Sequence, residues 1–149
     1  PIHQAEMIGL CALREAAGVT DLFAPAKRAQ VHTMEALCER ALQSGAAGVS
    51  LGPGYAPGTS LEEMEALCTM ARRYGRPAAI DTRMFAMTDL NSLSEAIELA
   101  EVTGCRMIVS HFEYQYGVGV EYKALEMLEL ARACTRIGVL PSARRSLSP

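Results

Sequence analysis

"SLEEMEALCTMARRYGRPAAID", Ser60 to Asp81, contains one full turn of the pattern that decides the fold. Ser60 and Glu63 stand three apart, as in a capping box, where the serine oxygen takes a free backbone N–H and the glutamate reaches back to the cap. Leu61, Met64, Leu67, Cys68 and Ala71 then recur at helical spacing with charges opposite, so this helix has one stripe to bury. Gly75 falls where a left-handed helix cap is wanted. "RPAAID" follows, a short run with too little polar alternation for a half-exposed strand.

The same unit repeats on both sides. One helix presents Met34, Leu37, Cys38 and Ala41, another Leu93, Ala96, Ile97 and Ala100, and a last one Ala124, Met127, Leu128, Ala131 and Cys134. Ser92 with Glu95 fits a second capping box. Gly45, Gly75, Gly104 and Gly138 are candidate caps spaced 30, 29 and 34 residues apart, about the length of one βα unit. "AAGVS", "RPAAID", "CRMIVSH" and "VLPS" are the strand candidates, and "AEMIGL" is one more near the start. Strands of this kind, each separated by a one-sided helix, predict an α/β fold of repeated βα units with a parallel sheet. Four or five such units fall short of a complete barrel, which takes roughly 250 residues. The chain is therefore either a small open doubly wound domain or a partial TIM-like barrel. Residues 1–142 form the expected domain, and 143–149, which lack apolar periodicity, a disordered tail.

Composition narrows the function. A chain of 149 residues, half of them apolar, is one domain with a sizeable core. A net charge of −3 offers no phosphate-binding face, so nucleic acid is not an expected partner. No apolar stretch approaches the roughly 20 residues needed to span a bilayer, and the first residues do not read as a signal peptide. A cytoplasmic protein without a membrane partner is expected. The five cysteines include no CxxC spacing, and Cys38, Cys68 and Cys134 lie on apolar helix faces, so they read as small buried hydrophobes.

In either architecture ligands bind at the carboxyl ends of the strands. That rim collects Ser50 to Tyr55, Asp81 to Arg83, His111 to Glu113, and Pro141 onward. His111 is placed to offer an imidazole nitrogen to a divalent metal, or to be a core-edge histidine bonded to a neighbour. Asp81 is either a second metal-facing group or a turn aspartate paired with Arg83. "GVSLGPGYAPGTSLEEM", Gly48 to Met64, lets backbone approach a ligand and offers the Tyr55 phenol, yet it lacks GxGxxG and the P-loop lysine. The aromatics Phe112, Tyr114, Tyr116 and Tyr122 line a pocket, pack, or meet a subunit. His32 and His3 read as surface residues.

With these residues placed, the chain resembles the N-acyl-D-amino-acid deacylases (D-aminoacylases) of the amidohydrolase superfamily. "GVSLGPGYAPGTSLEE" is similar to that family's G-[LMV]-S-x-G-x-x-Y-x-P-G loop, "IGLCALR" to its VGHGTLR-type segment, "AIDTR" to its strand ending in His-x-Arg, and "VSHFE" to its Ser-His-x-Lys strand. The 30 residues from Asp81 to His111 are similar to the family's interval between two metal-binding histidines. The resemblance runs from about Met7 to Val139. It implies a barrel enzyme, usually zinc-dependent, in which the metal activates water against the amide of an N-acyl-D-amino acid. It also implies that His111 and Asp81 face the metal, Arg83 the substrate carboxylate, and Tyr55 the acyl carbonyl, with Ser50 of the same loop motif in the substrate site.

The departures are specific. Asp81 stands for a histidine, Leu10 for the histidine of the GHG segment, and Glu113 for a lysine. "VLPSARR" departs from the family's Asp-x-Tyr-Pro-Tyr strand end. The family's early His-x-His pair would precede residue 1, and its late catalytic aspartate would follow residue 149. The expectation is thus the middle of an amidohydrolase barrel, a fragment or descendant with no catalytic residue of its own. It acts on a small N-acyl amino acid if active, or else serves as a homo-oligomeric, non-catalytic binding module that keeps the scaffold.

Overall fold

A computed structural model describes residues 4–83, 90–110, 129 and 137–139. The elements run β1 (Ile8–Gly9), α1 (Leu10–Ala16), α2 (Arg28–Gln43), β2 (Val49–Leu51), α3 (Leu61–Arg73), β3 (Ala78–Ile80), α4 (Leu90–Thr103), β4 (Met107–Val109) and β5 (Ile137–Val139). The five strands form one sheet in the order β1-β2-β3-β4-β5, each pair parallel. A doubly wound sheet reverses its strand order at a switch point. This sheet never reverses, so its winding is that of a barrel, and the open doubly wound alternative is set aside.

Alternation along the strands separates two faces. Val49, Leu51, Ala78 and Ile80 are fully buried, as are Met107 and Val109 within a percent. They pack beneath Met34, Cys38, Met64, Leu67, Cys68, Leu93, Ala96 and Ala100, the helical stripes expected from spacing. The opposite face carries Ser50, exposed, with Ala79 and Ile108 half-buried. In a closed barrel that face is the packed interior.

The helix ends show how the sequence sets the elements. At Ser60 the capping box forms in both directions: Ser60 Oγ accepts from the Glu63 amide, and Glu63 Oε1 from the Ser60 amide. Gly45, Gly75 and Gly104 have φ of 103°, 65° and 68°, left-handed values that terminate α2, α3 and α4. Gly48 is glycine for space instead, since a Cβ there would lie 2.3 Å from the Pro77 carbonyl oxygen, where β2 passes the start of β3.

Several expectations are corrected. α4 begins at Leu90, so Ser92 lies inside its first turn rather than at the cap, and Glu95 turns to Arg83 instead. Gly138 pairs with Ile108 inside β5 and caps nothing, because the strand spans Ile137–Val139 rather than "VLPS". Leu61 is 42% exposed and leaves the buried stripe. "AEMIGL" gives only two strand residues before α1 starts at Leu10. α2 begins at Arg28, where the Gln30 side chain accepts from the Lys27 amide. The helical face of Ala124 to Cys134 and the tail 143–149 lie outside the described residues.

Candidate functional site

The rim is built by the residues that leave the strands. The Asp81 amide donates to Leu51 carbonyl at 2.8 Å and the Ser110 amide to Ile80 carbonyl at 2.9 Å, so the ladder continues past β3 and β4. Asp81 stands two residues beyond Ala79, and the two-residue period puts it on the same inner face, half-buried. Ser50 pairs with Ala79 one layer lower.

The loop after β2 folds back over this edge. Its turns close through Tyr55 N–H to Gly52 carbonyl and Thr59 N–H to Ala56 carbonyl, with Ala56 fully buried. Tyr55 is 64% exposed at the loop's tip. The Asp81 carboxylate is its electrostatic neighbour: chiefly the negative charge of Asp81, and then its pull on the phenol proton, raise the Tyr55 pKa above its ordinary value. Tyr55 and Asp81, assigned to one rim from sequence, are therefore neighbours. Gly48 to Met64 is also a seam, because Gly58 donates to Leu22 carbonyl and a Cβ on it would come within 2.2 Å of the Phe23 backbone.

Arg83 holds the other side of the loop. Its Nε donates to both carboxylate oxygens of Glu95 at 2.8 and 3.0 Å, Nη1 donates to Pro57 carbonyl at 3.0 Å, and Nη2 to Thr59 carbonyl at 2.6 Å. The turn pairing with Asp81 considered from sequence is thus replaced by one with Glu95. Each terminal nitrogen of a guanidinium keeps a second N–H, and this side chain is 30% exposed.

Sequence reasoning missed the ion pair beneath the loop. Arg14 and Glu63, 1% and 0% exposed, form a salt bridge. Arg14 Nη2 also donates to Ala24 carbonyl at 2.7 Å and Asp21 carbonyl at 3.2 Å, while Glu63 Oε1 accepts from the Ala26 amide at 2.9 Å. The pair binds α1, the 21–26 segment and the start of α3 into one block. The available signal was an arginine in an apolar helical stretch, "LCALR", whose charge needed a buried partner.

His111 lies outside the described residues, as do Phe112, Glu113, Tyr114, Tyr116 and Tyr122. His32 is a surface residue as expected, paired with Glu35 at 2.9 Å. Among the described residues no group of three or more His, Cys, Asp or Glu converges on a common point. Zinc takes three or four protein ligands, and of the two expected metal-facing residues the described ones include Asp81 alone, which by itself does not fit a metal ion. No helix among the described residues is long and apolar enough to cross a membrane.

No protein-family model matches the chain. In sequence it is 30% identical over 141 residues to an N-acyl-D-aspartate deacylase of Alcaligenes xylosoxydans xylosoxydans, covering 91% of this chain and 28% of that protein. In structure it superposes on a D-aminoacylase, described as defining a novel subset of amidohydrolases, with a TM-score of 0.76 and 26% identity, over 87% of this chain and 28% of the other. It also superposes on the N-acyl-D-glutamate deacylase of Bordetella bronchiseptica, solved with zinc and a phosphonate mimic of the tetrahedral intermediate. There the TM-score is 0.78 and the identity 27%, over 93% of this chain and 30% of the other. A further D-aminoacylase structure concerns a binuclear metal centre. The chain spans under a third of the length of these relatives, and what it matches is an internal part of the deacylase barrel.

Proposed function

We propose, from this similarity to an internal part of the N-acyl-D-amino-acid deacylases, that the chain is a fragment or descendant of a metal-dependent amidohydrolase acting on N-acyl-D-amino acids. On this reading it is not catalytically complete alone. The supporting observation is the meeting of Tyr55 and Asp81 at the carboxyl ends of adjacent strands, on a loop held from both sides. Tyr55 can offer its one O–H to an acyl carbonyl when that proton turns away from Asp81. The spare N–H groups of Arg83 would take a substrate carboxylate, and Ser50, exposed one layer below on the same sheet face, would stand on the substrate side. Asp81 and His111 are the metal-facing pair, and two donors hold zinc only weakly. Reduced cysteines, free at Cys11, Cys38, Cys68 and Cys105, suit a cytoplasmic protein. The negative net charge argues against nucleic acid as a partner.

The test is thermal denaturation with excess zinc, alongside hydrolysis of N-acyl-D-glutamate and N-acyl-D-aspartate. Zinc should raise the melting temperature by mass action, Asp81→Asn and His111→Ala should each remove that rise, and hydrolysis should stay at background. A melting curve indifferent to zinc refutes the metal-facing pair. Turnover by the chain alone refutes its incompleteness.

The exposed position of Ser50 on the inner sheet face supports a second reading, a non-catalytic homo-oligomeric binding module. Open sheet faces and strand edges call for cover, and two partial barrels packed together would supply it. Light scattering at micromolar concentration should then show a dimer or larger. A monomer counts against this reading.

A further inference from the structure

At the end of the sheet opposite the rim, a cleft of about 280 Å³ is lined by Arg72, Gly75, Arg76, Gly104 and Arg106. Arg72 comes from the last turn of α3, Arg76 from the segment entering β3, and Arg106 from the segment entering β4. All three side chains belong to exposed residues, and among the described residues none makes an ion pair or side-chain hydrogen bond.

Arginines near helix C-termini commonly serve the last carbonyls. These do not, since no such bond is made, and their donors remain directed to the cleft or to water. The C-termini of α3 and α4 point toward the cleft, each carrying roughly half a negative charge. Three guanidiniums outweigh that, leaving a positive site in a chain whose net charge is −3. The field reaches inward as well. The buried Cys105 thiol is held low first by its hydrogen bond from Cys68, and the charges of Arg106 and Arg72 add to that effect.

We infer that this cleft binds a free, compact, multiply charged anion of the phosphate class. A guanidinium presents paired N–H groups that match the oxygens of phosphate, and three forks around one space favour an anion carrying several charges. The cleft, at about 280 Å³, has room for inorganic phosphate or diphosphate together with water. The site lies at the far end of the strands from Tyr55 and Asp81, so it is independent of the amidohydrolase reading.

Calorimetric titration of the full chain with diphosphate, and separately with inorganic phosphate, at ionic strength matched with sodium chloride tests this. Saturable one-to-one binding is expected. Arg76→Gln or Arg106→Gln should weaken it about ten-fold or more, the effect of one lost charge-assisted hydrogen bond. Arg28→Gln, at the start of α2, should leave it within about two-fold, below the change one such bond produces. Absence of saturable binding for both anions overturns the inference. So does equal weakening by Arg28→Gln, which would mark a general charge effect.

Discussion

Replacing Arg14 with methionine should cost more than any other single substitution proposed for this chain. The carboxylate of Glu63 is fully buried, and without Arg14 it keeps, among the described residues, the Ala26 and Ser60 amides and the Ser60 hydroxyl. Leaving one partner of a buried pair uncompensated typically costs about 3–5 kcal/mol, a large part of the roughly 5–15 kcal/mol that holds a domain folded. With a urea m-value of about 2 kcal/mol per molar, the unfolding midpoint should fall by about 1.5–2.5 M. Glu63→Gln should cost a similar amount, because its amide would turn a donor toward the buried Arg14 guanidinium while its oxygen kept the Ala26 and Ser60 amides.

The double variant separates burial from simple loss of contacts. Arg14→Met with Glu63→Gln removes both charges and preserves the cap of α3. It should therefore be less destabilised than the sum of the singles by about 1–3 kcal/mol, the range of coupling between residues in contact. Arg14 Nε has no partner among the described residues, so the pair is incompletely satisfied, and this favours a mild double variant. Urea unfolding followed by circular dichroism measures all three. Single losses under about 1 kcal/mol, the value of an exposed ion pair, or strict additivity would refute the reasoning.

Gly58→Ala and Gly48→Ala should each destabilise by about 1–3 kcal/mol through overpacking, since their new methyls meet backbone at 2.2 and 2.3 Å, whereas Gly9→Ala, with nothing within 4 Å, should cost less in the same urea titration. Asp81→Asn should lower the ionisation midpoint of Tyr55, read as the difference in ultraviolet titration between proteins with and without Tyr55→Phe; the phenol's raised pKa favours the folded state below the unfolded value of about 10, and that advantage is lost as pH rises through the folded value. An unchanged midpoint would separate the two side chains. Arg83→Met should speed hydrogen exchange at the Tyr55 and Thr59 amides without changing exchange in β3, because it removes the bonds to Pro57 and Thr59 carbonyls.

The parts of the fold that follow from period and caps were legible in the sequence. The buried faces of α2, α3 and α4 follow from helical spacing, and the ends of those helices from Gly45, Gly75 and Gly104. Where a cap depended on a motif alone it misled: Ser92 and Glu95 have the spacing of a capping box, yet Arg83 draws Glu95 away and α4 starts earlier. Strand order was not readable from one-sided helices, because barrel and doubly wound sheets share that pattern locally and differ only in which strands pair. Likewise Gly58 reads as an ordinary loop glycine until Phe23, 35 positions earlier in the numbering, is found against it.

The rim shows the same division. Parallel topology assigned Tyr55 and Asp81 to one edge, and backbone period then placed Asp81 on the inner face. What topology could not supply is how the loop is kept there. Tyr55 is exposed at the tip of a loop rich in glycine and proline, so its position depends on anchors at the loop's base. Those anchors are the Gly58 contact with the 22–24 backbone, itself held by Arg14, and the Arg83 bonds to Pro57 and Thr59. Arg83 thus has a structural duty, and under the proposed function that duty sets how a substrate carboxylate would meet it: through the spare N–H groups or by displacing the loop carbonyls. Displacement would release the loop carrying Tyr55, so on that proposal the spare donors are the route that leaves the loop, and Tyr55 on it, in place.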